Sequence, residues 1–359
     1  MSVSQIVLES VSKRFAAGAP AVDSLSLSIE PGETFALFGP SGCGKTTTLR
    51  LIAGFERPDE GRIRLGSRIV ADDEADVPPE DRRIGFVFQD YALFPHLSVE
   101  GNVGFGFRGI GSRERAARIR EVLALSKLEG LAERFPHELS GGQQQRVAVA
   151  RALAPDFPVV LLDEPLSNLD SSLRGSLRAE LHRILKASGK TVLLVTHDRE
   201  EAFEMADRIG VMSAGRLQQV GAPEDLHRRP ATEEVARLVC DACFLPARRS
   251  GDSLSTELGL LPIGGDAPAE EDLVILVREH EVRLVPDESG EGVVEKRVFR
   301  GPGHVIHVRL RSGASLRCRC NDPSMPRVGE RVRVQIEPGN LVILPGNRSC
   351  GVFPTGRPP

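Results

Sequence analysis

The sequence predicts two domains, an α/β domain with buried parallel strands followed by a smaller all-β domain. Three continuous apolar runs are typical of parallel strands buried on both faces: FALFG (35–39), VVLLD (159–163) and TVLLVTH (191–197). After about residue 245 the apolar residues instead alternate with period two, in HVIHVRL, SLRCRC and RVRVQI. Because Gly, Pro and Asn clusters separate these runs, they indicate a small antiparallel barrel or sandwich.

Composition restricts the class of protein. A length of 359 residues suits two or three domains. The net charge of −4 gives no overall signal for binding nucleic acid or an anionic membrane. No apolar run approaches the ~20 residues of a membrane span, and MSVSQIVLES lacks the pattern of a signal peptide. We therefore expect a soluble, cytoplasmic chain whose six irregularly spaced cysteines stay reduced.

The first apolar run leads into a glycine-rich loop, GPSGCGKT (39–46), which fits the phosphate-loop pattern G-x-x-x-x-G-K-[ST]. A strand before it and the helix-like TTTLRLIAG after it favour this interpretation over a chance glycine loop. Lys45 is expected to reach the β- and γ-phosphates of a nucleotide, and the Thr46 hydroxyl to bind Mg²⁺. The predicted loop residues are Gly39, Pro40, Ser41, Gly42, Cys43, Gly44, Lys45, Thr46 and Thr47. We assign Cys43 no redox role.

Polar residues follow the other two apolar runs. Asp163 ends one run and fits an acidic residue that orients Mg²⁺, while Glu164 follows it and can act on a water molecule. His197 ends the next run. A lone histidine there is more often structural, but ligands bind at this edge of open α/β sheets. We therefore predict that His197 contacts a γ-phosphate or holds the attacking water.

The helical region between about 100 and 155 contains SRERAARIREVLALSKL (112–128) and LSGGQQQRVAVARAL (139–153). In the second stretch Ser140 is a good N-cap, and Gln143 stands where a capping box needs it. Gly141 and Gly142 leave the first-turn N–H groups bare, which predicts an anion site at the helix start. Yet the stretch holds no nucleophile, general base or metal ligand.

LSGGQQQR resembles the signature of the ATP-binding-cassette (ABC) ATPases, and the other motifs of that family follow in order. Gln89 in VFQDYALFPH resembles the Q-loop, SNLD (Ser167 to Asp170) the D-loop, and His197 the switch histidine. Phe15 in VSKRF resembles the aromatic residue that stacks on adenine, with Phe where the family often has Tyr. The resemblance covers residues 3 to about 235.

The resemblance implies a P-loop NTPase cassette over residues 1–240, with a RecA-like core and a helical subdomain at about 92–155. It also implies an oligonucleotide-binding-like β domain at 241–350, before a tail at 351–359. Two copies would pack head to tail around two ATP·Mg²⁺, with Thr46, Gln89 and Asp163 at the metal. The helix start of one copy would then contact the γ-phosphate held by the other, through Ser140, Gly141, Gly142 and Gln143.

Two kinds of ABC protein compete, a transporter subunit and a soluble ATPase acting on DNA or ribosomes. The second kind usually has two cassettes or a long coiled coil, and this chain shows one phosphate loop and no long heptad region. Residues 89–107 resemble the groove that receives a coupling helix of a membrane subunit. The resemblance therefore implies an importer ATPase at the cytoplasmic face of the membrane, with two permease subunits, a periplasmic or lipid-anchored solute-binding protein and no nucleic acid.

The sequences of several stretches resemble those of ferric-iron importer cassettes most: GKTTTLRLIAGFERPDEG, FVFQDYALFPHLSV and the passage at 243–262. Spermidine/putrescine and thiamine cassettes share much of these sequences. Cys240 with Cys243, and Cys318 with Cys320, also raise the possibility of a metal site. Their spacings are not those of a closed zinc site, and Leu316, Cys318 and Cys320 share one face of a strand, which favours a role in the β core.

Overall fold

A computed structural model describes residues 4–15, 18–107, 109–169, 171–263, 268, 270–322, 325–336 and 341–346, without the side chains of 171–173. The predicted tail and Asp170 of the D-loop lie outside these residues. The chain divides into two units, Met1–Pro223 and Glu224–Pro359. This division lies before the predicted boundary at 240, since the segment after Pro223 is held inside the second unit. There the Arg278 guanidinium donates to the His227 carbonyl at 2.7 Å.

The strands of the first unit build two sheets. In chain order the described strands are β1 (Ile6–Lys13), β2 (Val22–Ile29), β3 (Thr34–Phe38), β4 (Glu60–Leu65), β5 (Arg68–Ala71), β6 (Ile84–Val87), β7 (Val159–Asp163), β8 (Thr191–Thr196), β9 (Arg208–Ser213) and β10 (Arg216–Gly221). One sheet has the order β10-β9-β3-β8-β7-β6 and is parallel except for β10. The other is antiparallel, β2-β1-β4-β5.

Every residue of β3, β7 and β8 is buried, as their continuous apolar sequences predict. These are the three parallel strands that the sequence indicated, and their carboxyl ends lie at one edge of the sheet.

Two of the helices start at glycine-rich sequence, one directly after the loop that ends at Gly44 and one at Gly141. In chain order the described helices are α1 (Lys45–Ala53), α2 (Val99–Val103), α3 (Ser112–Leu125), α4 (Gly141–Leu153), α5 (Ser171–Ser188) and α6 (Arg199–Met205), and then α7 (Pro223–Arg228) and α8 (Glu233–Val239). Leu49 and Ile52 of α1 are fully buried in one apolar cluster with Leu8 of β1 and Leu37 of β3. Because α1 shares this apolar core with β3 and contacts β7 and β8, its first turn is held at the edge where β3 ends.

The second unit is all-β beyond α8, as predicted. Its described strands are β11 (Ala242–Ser250), β12 (Ser253–Thr256), β13 (Gly259–Pro262), β14 (Asp272–Arg278), β15 (Val282–Pro286), β16 (Gly292–Phe299), β17 (His304–Leu310), β18 (Ser315–Cys320), β19 (Arg331–Ile336) and β20 (Val342–Pro345). They form two five-stranded antiparallel sheets, β13-β12-β11-β14-β20 and β15-β19-β16-β17-β18. Leu316 and Cys318 are buried in the core of this unit, and Cys320 packs partly buried against it.

Within the described ranges, no helix is long and apolar enough to cross a membrane.

Candidate functional site

The glycine-rich loop runs from the end of β3 to the start of α1 and passes close to neighbouring main chain. A Cβ on Gly39 would lie 2.0 Å from the Met212 carbonyl oxygen, and one on Gly44 would lie 2.1 Å from that of Ala21. Gly44 is also the N-cap of α1, with a φ of 104° and no side-chain cap. The loop therefore needs glycine at both positions for space, and at Gly44 also for the left-handed backbone.

The Lys45 ammonium lies inside this loop. Its Nζ donates to the carbonyl oxygens of Gly39 at 2.8 Å and Pro40 at 2.9 Å, and the residue is only 4% exposed. Nζ also lies 3.9 Å from Cys43 Sγ, and burial raises the pKa of this thiol. A positive charge held by carbonyl groups and a thiol, next to the start of α1, suits the binding of an anion.

Thr46 and Asp163 come together although 117 positions separate them. The Thr46 hydroxyl donates to Asp163 Oδ1 at 3.0 Å. Burial raises the pKa of Asp163, the Thr46 hydrogen bond opposes that rise, and the Glu164 charge adds to it. An adjacent hydroxyl and carboxylate are oxygen donors of the kind Mg²⁺ prefers, and a bound cation would stabilise the ionised carboxylate.

Gln89, the third residue predicted at the metal, contacts the predicted D-loop through its main chain. Its side chain is exposed, and its carbonyl oxygen accepts a hydrogen bond from Asn168 Nδ2 at 2.8 Å. The described part of the predicted D-loop thus contacts the predicted Q-loop directly.

Glu164 and His197, the predicted catalytic pair, are in contact. His197 Nδ1 lies 3.0 Å from Glu164 Oε2. Glu164 has a φ of 44°, and its N–H donates to the Val195 carbonyl of β8 at 2.9 Å. A left-handed backbone at a residue other than glycine costs about 1–3 kcal/mol and is common at functional sites. This conformation places Glu164 between the ends of β7 and β8, where His197 can reach it.

The start of α4 has the capping box that the sequence predicts. The Ser140 side chain accepts from the Gln143 N–H at 3.4 Å, and Gln143 Oε1 accepts from the Ser140 N–H at 2.9 Å. A Cβ on Gly142 would lie 2.9 Å from a Leu177 methyl carbon, and one on Gly141 would lie 3.1 Å from a Leu169 methyl carbon. Both glycines therefore also allow close packing beneath the helix start.

The loop after Gln89 carries a strain that the sequence did not indicate. Tyr91 and Ala92 have φ values of 64° and 44°, two left-handed residues in a row. Arg151, at the end of α4, donates to their carbonyl oxygens at 2.8 Å and 2.6 Å, and its guanidinium lies 5.3 Å from the centre of the Phe94 ring. Arg151 thus links α4, the helix that begins with the signature, to the segment after Gln89. In the sequence, only the position of Arg151 about two turns after the signature could have indicated this contact.

Phe15, the residue predicted to stack on adenine, is 51% exposed. The Lys13 ammonium lies 5.5 Å from the centre of its ring. An exposed ring beside a cation is compatible with stacking on a base.

Comparison with known proteins agrees with these motifs. A family model described as ABC transporter matches residues 22–167, and one described as TOBE domain matches residues 275–344. The chain is 41% identical to the spermidine/putrescine import ATP-binding protein PotA of Pseudomonas fluorescens (strain Pf0-1), over 94% of this chain and 98% of that protein. The chain belongs to the ABC transporter family. Its fold is a P-loop ABC cassette followed by an all-β domain.

Other relatives in the ABC transporter family carry different substrate names. The Fe(3+) ions import ATP-binding protein FbpC of Streptomyces coelicolor is also 41% identical, over 97% of this chain and 99% of that protein. Among solved structures, the ATP-binding cassette MJ0796, described as a dimer in a post-hydrolysis state bound to ADP and Pi, is 36% identical. Its TM-score is 0.53, over 60% of this chain and 98% of that chain.

Proposed function

We propose that this protein is the ATP-hydrolysing subunit of an ABC importer and that it works as a head-to-tail dimer. The observation that carries the proposal is the contact between Glu164 and His197, at the sheet edge that also holds the Thr46–Asp163 pair. The import names of the full-length relatives and the dimeric MJ0796 cassette support it.

Nucleotide binding is assigned to the phosphate loop. Lys45 exchanges its two carbonyl partners for oxygens of the β- and γ-phosphates, and Phe15 stacks on the adenine. Thr46 and Asp163, together with Gln89, would hold Mg²⁺, which would neutralise negative charge on the phosphates. The start of α4 in the second copy, at Ser140, supplies N–H groups to the same γ-phosphate.

Hydrolysis is assigned to Glu164. Its carboxylate accepts a proton from the attacking water as general base, and the Nδ1 contact of His197 keeps it in the required orientation. In this arrangement the signature of one chain faces the nucleotide held by the other chain, not its own nucleotide. Hydrolysis therefore requires two copies.

The surface that we assign to a permease subunit is aromatic. Phe55 and Phe88 are exposed with ring centres 5.8 Å apart, and Phe105 is exposed with its ring centre 4.2 Å from that of Phe94. Exposed apolar surface of this kind is typical of a binding site for another protein. These aromatic residues lie in and beside the segment 89–107. The hydrogen bonds from Arg151 to Tyr91 and Ala92 connect this segment with α4, the helix that begins with the signature.

We propose ferric iron as the cargo, on the resemblance of the cassette wording and the full-length FbpC relative. The PotA relative, equally identical over almost its whole length, favours spermidine/putrescine as the second candidate. Deletion of the gene should lower uptake of labelled ferric iron and spare uptake of labelled putrescine. The reverse pattern would assign the chain to polyamine import.

The test of the catalytic assignment is Glu164→Gln, which keeps shape and hydrogen bonding but removes the basicity. We expect ATP turnover to fall about 10²- to 10⁴-fold, while ATP binding persists because the phosphate loop is unchanged. Glu200→Gln is the matched control, since Glu200 is exposed and pairs with Arg178. Turnover in Glu164→Gln equal to that of the control would remove Glu164 from the chemistry.

A further inference from the structure

A carboxyl group lies buried behind the switch histidine. Glu201, in the first turn of α6, is 3% exposed. Its Oε2 accepts a hydrogen bond from the Thr196 hydroxyl. Within the part of the chain that the structure describes, no donor reaches its Oε1. None of the sequence motifs includes this residue.

The same Thr196 hydroxyl also organises the main chain around His197. Its Oγ1 accepts from the Asp198 N–H at 2.9 Å. Thr196 and Asp198 are the two neighbours of His197 in the chain, so a single hydroxyl joins the peptide on both sides of the histidine. Asp198 in turn caps α6 by accepting from the N–H groups of Glu200 at 2.8 Å and Glu201 at 3.2 Å.

The surroundings of Glu201 make its burial costly. Burial raises the pKa of this carboxyl to about 7, the negative charges of Asp198 and Glu164 act in the same direction, and Arg178 of α5 opposes them. Arg178 is itself engaged by Glu200 and Glu204. Among the described strands, β3 and β8 both contact α6, and neither contains a titratable residue.

An apolar side chain would fill this position without that cost, since burying a carboxyl with one donor is unfavourable. The arrangement is therefore better explained by what the carboxyl holds than by packing. It holds the Thr196 hydroxyl, and through it the backbone that presents His197 to Glu164.

We propose that Glu201 is a positioning residue for ATP hydrolysis, which fixes the main chain on both sides of His197 through the Thr196 hydroxyl. The inference rests on the proposed roles of Glu164 and His197. Without the tether, His197 Nδ1 no longer stays at hydrogen-bond distance from Glu164, and the left-handed Glu164 loses the contact that orients its carboxylate.

Two pairs of variants test the tether in the full-length chain. Thr196→Val and Glu201→Leu remove the hydrogen bond, whereas Thr196→Ser and Glu201→Gln keep a hydroxyl and an acceptor oxygen. We expect kcat for ATP to fall about tenfold or more in the first two, since small misplacements at a reacting centre have effects of this size. The KM for ATP should stay unchanged, and the second two should retain most of the wild-type kcat. The double variant Thr196→Val/Glu201→Leu should be no slower than the slower single variant.

The matched control is Thr191→Val, at the other end of β8. Thr191 is also buried, and its hydroxyl accepts from the Gly32 N–H at 2.9 Å, away from His197. It should keep the wild-type kcat. Three results would each overturn the positioning role of Glu201. They are an equal fall in kcat in Thr191→Val, additive losses in the double variant, and a kcat in Glu201→Gln as low as that of Glu201→Leu.

Glu164→Gln separates this inference from the proposed function. If Glu164→Gln stops turnover while Thr196→Val and Glu201→Leu keep it, only the positioning role fails. If Glu164→Gln itself keeps turnover, the proposed catalytic role of Glu164 fails, and the positioning role that rests on it fails too.

Discussion

The two helices that begin with glycine-rich sequence, α1 and α4, are built differently. α1 starts after Gly44, whose left-handed backbone has no side-chain cap. α4 starts after Ser140, whose side chain closes a capping box with Gln143. In the first loop the main chain folds around the Lys45 ammonium, whereas at the start of α4 Ser140 and Gly141 are exposed.

Their surroundings differ in the same sense. Close to α1 lie the Thr46–Asp163 pair and the Glu164–His197 pair. The glycines at the start of α4 pack against Leu169 and Leu177, which are apolar. This difference supports the proposal that α1 belongs to the half-site that holds a nucleotide and acts on it, and that α4 contributes to a nucleotide held by a second copy.

The largest expected effect tests the difference between α1 and α4 directly. Lys45→Ala removes the cation inside the phosphate loop and should lower ATP affinity of the monomer about 100-fold or more, since charged hydrogen bonds to phosphate are strong. Ser140→Arg should leave that affinity nearly unchanged and still stop hydrolysis. Isothermal titration with ATP and a turnover assay check both. Equal loss of monomer affinity in the two variants would mean that both helices serve one nucleotide.

The ends of the two helices give the next test. Arg82, whose side chain is fully buried, donates to the Leu51 and Ile52 carbonyls of α1 at 2.7 Å and 3.0 Å. Arg82→Met leaves these carbonyls unsatisfied and should destabilise the first unit by about 3 kcal/mol. Arg151→Met instead removes the hydrogen bonds that join α4 to the carbonyl oxygens of Tyr91 and Ala92.

We expect Arg151→Met to lower ATP turnover more than stability, because the segment it releases adjoins Gln89. Urea unfolding and turnover, measured on both variants, separate the two effects. Equal losses of stability and of turnover in the two variants would contradict the distinction.

A third prediction concerns pH. Because the pKa of Glu201 is raised from 4.5 to about 7 in the folded chain, the folded state binds the proton more tightly than the unfolded state. The stability from this proton is fully present below pH 4.5 and is lost as the pH rises through about 7. Relative to Glu201→Gln, the wild type should lose on the order of 3 kcal/mol between pH 4.5 and pH 8.

Thermal unfolding of Glu201→Gln and of the wild type at several pH values checks this. A difference in Tm that does not change with pH would show that Glu201 ionises normally.

The smallest effect is expected outside both helices. Cys318 is buried in the second unit, and burial raises the pKa of its thiol to about 12. Cys318→Val should cost under about 1.5 kcal/mol as a swap of similar volume, and should leave ATP affinity and turnover unchanged. A loss of ATP affinity in this variant would show that the phosphate-loop half-site depends on the second unit.

Three strands of the parallel sheet, β3, β7 and β8, could be predicted because their sequences are continuously apolar, whereas β6 and β9 of the same sheet were not predicted. The antiparallel sheet of the first unit could not be predicted. β1 pairs with β2 through register shifts after Leu8 and after Val11, so its buried residues do not alternate with period two. The period-two strands of the second unit have a clearer pattern, and β17, β18 and β19 were predicted.

The candidate site divides in the same way. The position of Lys45 and Thr46 at the start of α1, and the capping box of Ser140 and Gln143, could be predicted because they depend on fixed spacing within one motif. The left-handed backbone of Glu164 and the hydrogen bonds of Arg151 could not be predicted, because each depends on a segment that is distant in the chain. Arg151 and Tyr91 are 60 positions apart. Glu201 is near Thr196 in sequence, but only its burial with a single donor distinguishes it from a surface glutamate.

The most direct test of the head-to-tail dimer uses the non-hydrolysing chain with and without an intact signature. Glu164→Gln should elute as a dimer in size-exclusion chromatography with ATP and as a monomer with ADP. Glu164→Gln/Ser140→Arg should bind ATP equally well and stay monomeric. A double variant that dimerises with ATP as fully as Glu164→Gln would show that the α4 start does not bind the nucleotide of a second copy.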